Sequence, residues 1–569
     1  LAAVKNRAEV RRALRAPPAT GFVSQPEPRT IGLYARGKQL IAGNFLFAGH
    51  LVEAPGVRLW DVTIPEPAWA AASHGFAWLD DLAAVGDAAA RARAQDWTWA
   101  WIEGFGQGRA AGAPGWTPDL TGRRLIRWIN HALLLLNGRQ RDDALAFYAS
   151  LSAQTVYLSR NWHLAAPGLP RFEALCGLIY AGFALTGMEE RVTPATAALA
   201  AECEIQISAG GGIPTRNPEE LLEVFTLLTW AAQALGEAGR AVSPEHLGAI
   251  ARIAPTLRAL RHADGGLARF HGGGRGLEGR LDHALAASGV KPATAEGLAM
   301  GFARLSGART SVIVDAADPP SGAAGAYAHA SSLAFELTSG RRPLIVCCGS
   351  GLPFGQDWHR AGRATASHST LSVDGSSSSR FAAGGREVLE DRAPVATAGV
   401  TASEAGQHLT LRHDGWRMTH GLTHVRDLSL SHDGRRLVGQ DLLSARDEAG
   451  QARLKAALAR APEGGIGHAV RFHLHPDVDA ALDLGGTAVS LALRSGEIWV
   501  FRHDGTARLS LEPSVYLEKG RLAPRATRQI VLAANLGTTE SRIGWTLAKA
   551  QDTPLAIRDL DRDDPPSRP

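Results

Sequence analysis

The apolar positions along this chain follow two different periods. From His74 to about Arg304, Ala and Leu recur at helical spacing, as in Leu125-Ile-Arg-Trp-Ile-Asn-His-Ala-Leu-Leu-Leu-Leu and Phe172-Glu-Ala-Leu-Cys-Gly-Leu-Ile-Tyr-Ala-Gly-Phe-Ala-Leu. A repeat near 3.6 residues puts these side chains on one helix face, and the stretch divides into roughly eight to ten helices of ordinary length. No fixed-length repeat is visible, which favours a closed ring of helical hairpins over a solenoid. Around Ala308 the texture changes. Thr310-Ser-Val-Ile-Val-Asp, Ser332-Leu-Ala-Phe-Glu-Leu-Thr-Ser, Pro343-Leu-Ile-Val-Cys-Cys and Ser369-Thr-Leu-Ser-Val-Asp alternate or run apolar for strand lengths, then stop at Gly or Asp. The pattern continues through His408-Leu-Thr-Leu-Arg-His, Ala469-Val-Arg-Phe-His-Leu-His, Ile498-Trp-Val-Phe-Arg-His and Gln529-Ile-Val-Leu-Ala-Ala, and reads as a large β-sandwich.

Ahead of the helices, Gly21 to Pro65 breaks the pattern with short β-like pieces, Gly32-Leu-Tyr-Ala-Arg, Leu46-Phe-Ala-Gly-His and Val57-Arg-Leu-Trp-Asp. Single cores stop growing at roughly 250 to 300 residues, so 569 residues imply more than one domain. The expected division is a lead-in over 1–73 that wraps the first domain, a helical domain over 74–307 and a β-sandwich over 308–569. The tail after Asp559, with alternating Asp and Arg and then Pro-Pro, reads as a frayed end.

Composition narrows the classes. Hydrophobic residues at 45% and charged residues at 20% exclude wholesale disorder and a membrane bundle. The net charge of +4 arises from interspersed residues, without the basic blocks of a nucleic-acid binder. Most cations are Arg, whose planar fork suits carboxylate, sulfate or phosphate. No apolar run reaches the roughly 18 residues of a membrane span, so membrane insertion is not expected. The expectation is a soluble protein of periplasm or cytoplasm, with any leader removed ahead of Leu1. Cys176, Cys203, Cys347 and Cys348 have no CxxC spacing and read as buried thiols.

A resemblance emerges at Arg341-Arg-Pro-Leu-Ile-Val, the Gly349-Ser-Gly turn, Arg363-Ala-Thr-Ala-Ser-His-Ser-Thr-Leu-Ser-Val-Asp-Gly and Arg412-His-Asp-Gly-Trp. These resemble the C-terminal domain of the heparinase II/III superfamily. Upstream, Arg160-Asn-Trp-His-Leu resembles that superfamily's Asn-His element. The resemblance implies an α+β multidomain chain, an N-terminal (α/α) toroid followed by a C-terminal antiparallel β-sandwich. It implies β-elimination on a uronic-acid polysaccharide at the cleft between the two domains. In that chemistry Asn, His or Arg neutralises the carboxylate while a Tyr or His removes the C5 proton. Carried over residue by residue, Asn161, His163 and His368 become the catalytic candidates, with Arg160 beside them as a substrate contact. The family's Tyr is expected after Gly210-Gly-Gly-Ile-Pro-Thr-Arg-Asn-Pro, where this chain has Glu219-Glu-Leu-Leu-Glu; Tyr157 is a substitute base.

Arg216 and Asn217 follow a Gly run that permits a tight turn or close approach to a ligand, and they suit a carboxylate clamp. His271-Gly-Gly-Gly-Arg-Gly reads either as a mobile loop of the cleft, with His271 a further substrate contact, or as an ordinary interhelical connection. The chemistry requires no cofactor; the resemblance implies a structural zinc on His368 and His413. The expected partner is an acidic polysaccharide or oligosaccharide, with no nucleic acid, and a homodimer is compatible. The alternative reading is a non-lyase carbohydrate-binding protein, or a glycan-active enzyme of another mechanism, on the same fold.

Overall fold

A computed structural model describes residues 2–24, 27–109, 114–293, 295 and 297–552. The tail after Asp559 lies outside the described residues. Helices fill the first half and antiparallel strands the second.

The helical half is a ring of hairpins. Pro118–Asn130, Leu169–Ala184 and Pro218–Glu237 are its inner helices, buried along most of their length. Each has Pro in its first turn, where the missing N–H costs nothing. Arg141–Asn161, Val192–Gln206 and Pro244–Ala259 return between them with more polar faces. Gly side positions set the inner packing: a Cβ on Gly122 would lie 2.2 Å from the Glu173 carbonyl, and one on Gly177 would lie 2.4 Å from Gly122 Cα.

Two eight-stranded sheets make the sandwich. One runs in space Val395–Ser403, Gly406–Trp416, Leu422–Ser431, Arg436–Ser444, Glu540–Gln551, Ile498–His503, Ala488–Ala492, Asp479–Asp483. The other runs Arg508–Tyr516, Arg525–Leu536, Ile466–Leu474, Arg342–Val346, Phe335–Ser339, Thr310–Asp315, Phe302–Gly307, with Leu371–Val373 also paired to Ile466–Leu474. Phe335, Phe472, Trp545 and their neighbours fill the space between.

Two local readings need correction. Gly32-Leu-Tyr-Ala-Arg is not a strand: Tyr34–Ala42 is a helix, which Gly43 closes in the left-handed region. The β-like reading holds for the hairpin Asn44–Phe47 with His50–Glu53. The first sandwich strand begins at Phe302, so a boundary at 308 falls inside the first hairpin. Phe302-Ala-Arg-Leu-Ser-Gly is short, and its alternation is masked by the helical texture before it.

Candidate functional site at the domain seam

The toroid and sandwich are joined by two buried carboxylates on neighbouring strands. Asp315 ends one strand and Glu336 lies in the next. Each reaches into the helical half for one Arg and one His. Asp315 accepts from Arg216 Nη2 at 2.6 Å and from Ser331 Oγ at 2.6 Å, and His271 Nε2 lies 3.4 Å away. Glu336 accepts the Arg269 backbone N–H at 3.0 Å, with Arg269 Nε and His262 Nε2 each at 3.5 Å. Burial alone would raise both carboxyls, but the facing cations and imidazoles outweigh it. Asp315 is held well below the usual carboxylate range by Arg216 and His271, and Glu336 is brought down to about 2 by His262 and Arg269.

Arg216 is fully committed. Its Nε donates to the Met300 carbonyl, its Nη1 to the Ala317 and Asp318 carbonyls, and its Nη2 to the Gly301 carbonyl and Asp315. A guanidinium has five N–H donors, and all five are used. The residue sits at φ +51 in the turn after the Gly run, with its guanidinium over the Phe302 ring. The expected clamp for an external carboxylate is thus an internal tie between domains.

Asn217 is a helix cap. Its Oδ1 accepts from the Glu219 and Glu220 backbone N–H groups at the start of Pro218–Glu237. His271 is buried, its Nδ1 accepting the His329 N–H at 3.2 Å. The Gly272 to Gly274 stretch packs on that cap, Gly274 donating to Glu219 at 2.8 Å. Of the two readings it is the tethered connection, and His271 is packed inside it instead of facing a substrate.

His368 is completely buried, and neither ring nitrogen has a hydrogen-bond partner. Its ring lies 5.1 Å from that of His329, whose Nδ1 is also unpartnered. Burial, with His473 and His271 nearby, pushes the His368 pKa down to about 3. Arg216, His271 and His368 therefore gather around Asp315. The sequence reading missed Asp315, Ser331, His329, Glu336, Arg269 and His262. A buried acid closing the otherwise apolar Thr310–Asp315 strand was the available signal for the first of these.

Other candidates stand apart. Asn161 ends its helix and donates Nδ2 to its own Tyr157 carbonyl at 2.8 Å. His163 is exposed in the following turn, and Arg160 pairs with Glu9 at 3.0 Å. Among the described residues, no hydrogen bond, ion pair or ring contact joins Asn161 or His163 to His368. Tyr157 is buried, its hydroxyl 2.7 Å from both Asn6 Oδ1 and the Trp116 carbonyl, and burial pushes its pKa far up.

The implied zinc does not fit His368 and His413. Gly415 N–H occupies His413 Nδ1 at 3.1 Å, His413 Nε2 donates to His424 Nδ1 at 3.2 Å, and His424 Nε2 donates to Asp441 at 2.7 Å. That relay leaves His413 no lone pair for a cation. Among the described residues, no group of three or more His, Cys, Asp or Glu side chains is placed to hold a metal ion.

The seam is closed. A cavity of about 20 Å³ lined by His262, Arg269, Glu336 and Tyr516 gives room for little more than a water. Cations near the starts of the inner helices have internal partners: Arg123 with Glu173 at 2.7 Å, Arg171 with Glu202 at 3.1 Å, Arg280 with Glu223 at 2.6 Å, and Lys519 with Glu219. Of the five tryptophans whose type suits a sugar platform, Trp128, Trp230 and Trp416 are buried in the cores, while Trp162 and Trp358 are half-buried.

Residues 289–546 match the family described as heparinase II/III-like, C-terminal. Among solved structures, the crystal structure of heparinase III superposes with a TM-score of 0.67 at 13% identity, over 96% of this chain and 89% of that one. A mutant of heparan sulfate lyase HepC from Pedobacter heparinus gives 0.59 at 14%, over 97% and 88%. These likenesses show the toroid-plus-sandwich fold. The chain belongs to the heparinase II/III-like family. Within it, FtsZ-localized protein C of Caulobacter vibrioides is similar along nearly the full length, 31% identical over 551 residues, 94% of this chain and 91% of that protein. Among the described residues no helix is long and apolar enough to cross a membrane.

Proposed function

We propose that this chain is a lyase-fold protein without β-elimination chemistry, a rigid binding scaffold that works at the cellular position of FtsZ. The observation that carries the first part is Arg216, whose five donors are all spent on the chain itself. Elimination from a uronate needs a cation or amide free to neutralise the carboxylate, and a base within reach of the C5 proton. Glu219 and Glu220 stand where the resemblance expects the Tyr, and Tyr157 is sealed between Asn6 and Trp116. The full-length similarity to a protein named for its localization with FtsZ supports the second part.

The test is to image the tagged chain with labelled FtsZ in its own host and to pellet the purified chain with FtsZ polymers. Coincident fluorescence and co-pelleting are expected. A uniform distribution with no co-pelleting contradicts the assignment.

A second reading is cleavage of a uronic-acid polysaccharide by β-elimination at the seam. It draws on His368, whose two ring nitrogens lack internal partners. This reading requires the seam to open and Arg216 to exchange its internal acceptors for substrate.

A further inference from the structure

Away from Asp315, the strand Ile466–Leu474 carries His473 on the same face as Ser514 of the edge strand Arg508–Tyr516. Ser514 Oγ lies 2.8 Å from His473 Nδ1. The other ring nitrogen, Nε2, lies 2.9 Å from the Ala366 carbonyl. A carbonyl only accepts, so Nε2 bears the hydrogen and Nδ1 presents its lone pair to the Ser514 hydroxyl. Burial, reinforced by Arg471 and opposed by the Ala366 carbonyl, brings the imidazole to about 4 and keeps that lone pair free at neutral pH. Cys348 Sγ sits 3.6 Å from the same Nδ1 and 3.9 Å from Ser514 Oγ. The Val515 backbone amide, which follows Ser514, is hydrogen-bonded to that thiol.

This is a nucleophile beside a base with its tautomer fixed. Ser514 is half-buried on a sheet edge, and Ala366 is exposed beside half-buried Ser367.

We infer that Ser514 and His473 form a second site, one in which the Ser514 hydroxyl attacks small O-acyl esters. Oγ adds to the ester carbonyl carbon as its proton passes to His473 Nδ1. The tetrahedral adduct collapses, the C–O bond to the alcohol breaks, and the alcohol leaves with the proton from Nδ1. Water then adds to the acyl-Ser514 carbonyl by the same proton route, releasing a carboxylic acid and restoring the hydroxyl. The pair borders the seam, since His473 lies near His368, but its chemistry draws on none of Arg216, His271 and His368.

The test uses the full chain with a fluorophosphonate, which forms a Ser O–P bond as fluoride leaves, and with p-nitrophenyl acetate. The labelled peptide, read by mass spectrometry, is expected to contain Ser514. Ser514→Ala and His473→Gln are each expected to cut labelling and ester turnover at least tenfold. Cys348→Ser is expected to leave the label on Ser514. Ser514→Ala removes one half-buried oxygen and is expected to unfold at the wild-type temperature, which separates lost chemistry from lost fold. No labelling of the wild type, labelling unchanged in Ser514→Ala, or a label on Cys348 overturns the assignment.

Discussion

Arg216 ties one buried carboxylate and four backbone carbonyls across two domains, and that accounting distinguishes a strut from a substrate contact. Removing it leaves Asp315 buried with one imidazole and one hydroxyl. Arg216→Ala is expected to lower stability by about 3–5 kcal/mol, the usual cost of stranding one partner of a buried ion pair. Urea unfolding measures it. If Arg216 were instead a clamp waiting for substrate, its loss would weaken ligand binding and leave the unfolding midpoint in place. Sequence alone made Arg216, His271 and His368 notable as residue types, and they do meet around Asp315. Their roles were not legible, because what a donor does depends on acceptors about a hundred positions away, in the Met300 to Asp318 stretch. The same limit applied to His413: its motif suggested a cation, and the residue that occupies it, His424, is its neighbour on the adjacent strand.

At the level of elements, the inner helices approach closely because Gly122 and Gly177 face one another where two of them cross. Neither has positive φ; the requirement is space. Gly122→Ala forces a methyl against the Glu173 carbonyl and is expected to cost about 3 kcal/mol, at the upper end of ordinary overpacking. Thermal melting checks it, and an unchanged midpoint would mean that the crossing is looser than the contacts imply. The Asn217 cap is a smaller term: Asn217→Ala is expected to cost about 1 kcal/mol with no change in any ligand affinity, which separates capping from substrate binding. These elements were readable from sequence where the period was long and uninterrupted. The helix Tyr34–Ala42 was not, because its start is surrounded by Pro and Gly and it spans only nine residues.

For the whole molecule, buried imidazoles and carboxylates make stability depend on pH in one direction. His74, His368 and His473 are held near 3, 3 and 4, chiefly by burial, against an ordinary value of 6.5. The unfolded chain therefore binds their protons first. Their contribution is intact above about pH 7 and falls as pH drops from 6.5 toward the folded values. Asp315, Asp441 and Glu336 are depressed; their contribution is intact above the unfolded value near 4 and is lost as pH falls through the folded ones. Both effects destabilise on acidification. The melting temperature is expected to be level from about pH 7 upward and to decline steadily below 6.5, steepening below about 4. A level profile down to pH 5 would show that these imidazoles are not buried neutral.

The two-domain plan was legible because helical and strand periods segregate on either side of about residue 300. The pairing across the seam was not, since it joins residues far apart in the chain: Arg216 with Asp315, Arg269 and His262 with Glu336. That the seam's charged groups are committed to one another, Arg216 above all, is the central claim, and ultraviolet absorbance tests it most directly. Purified chain is incubated with alginate, glucuronan, heparan, hyaluronan and bacterial capsular polysaccharides, and formation of the unsaturated uronate is followed beside an Arg216→Ala control. No rise in absorbance with any polymer is the predicted result. A rise with the wild-type chain that Arg216→Ala abolishes would contradict it, because the seam would then have to open and Arg216 would have to leave its internal partners for substrate.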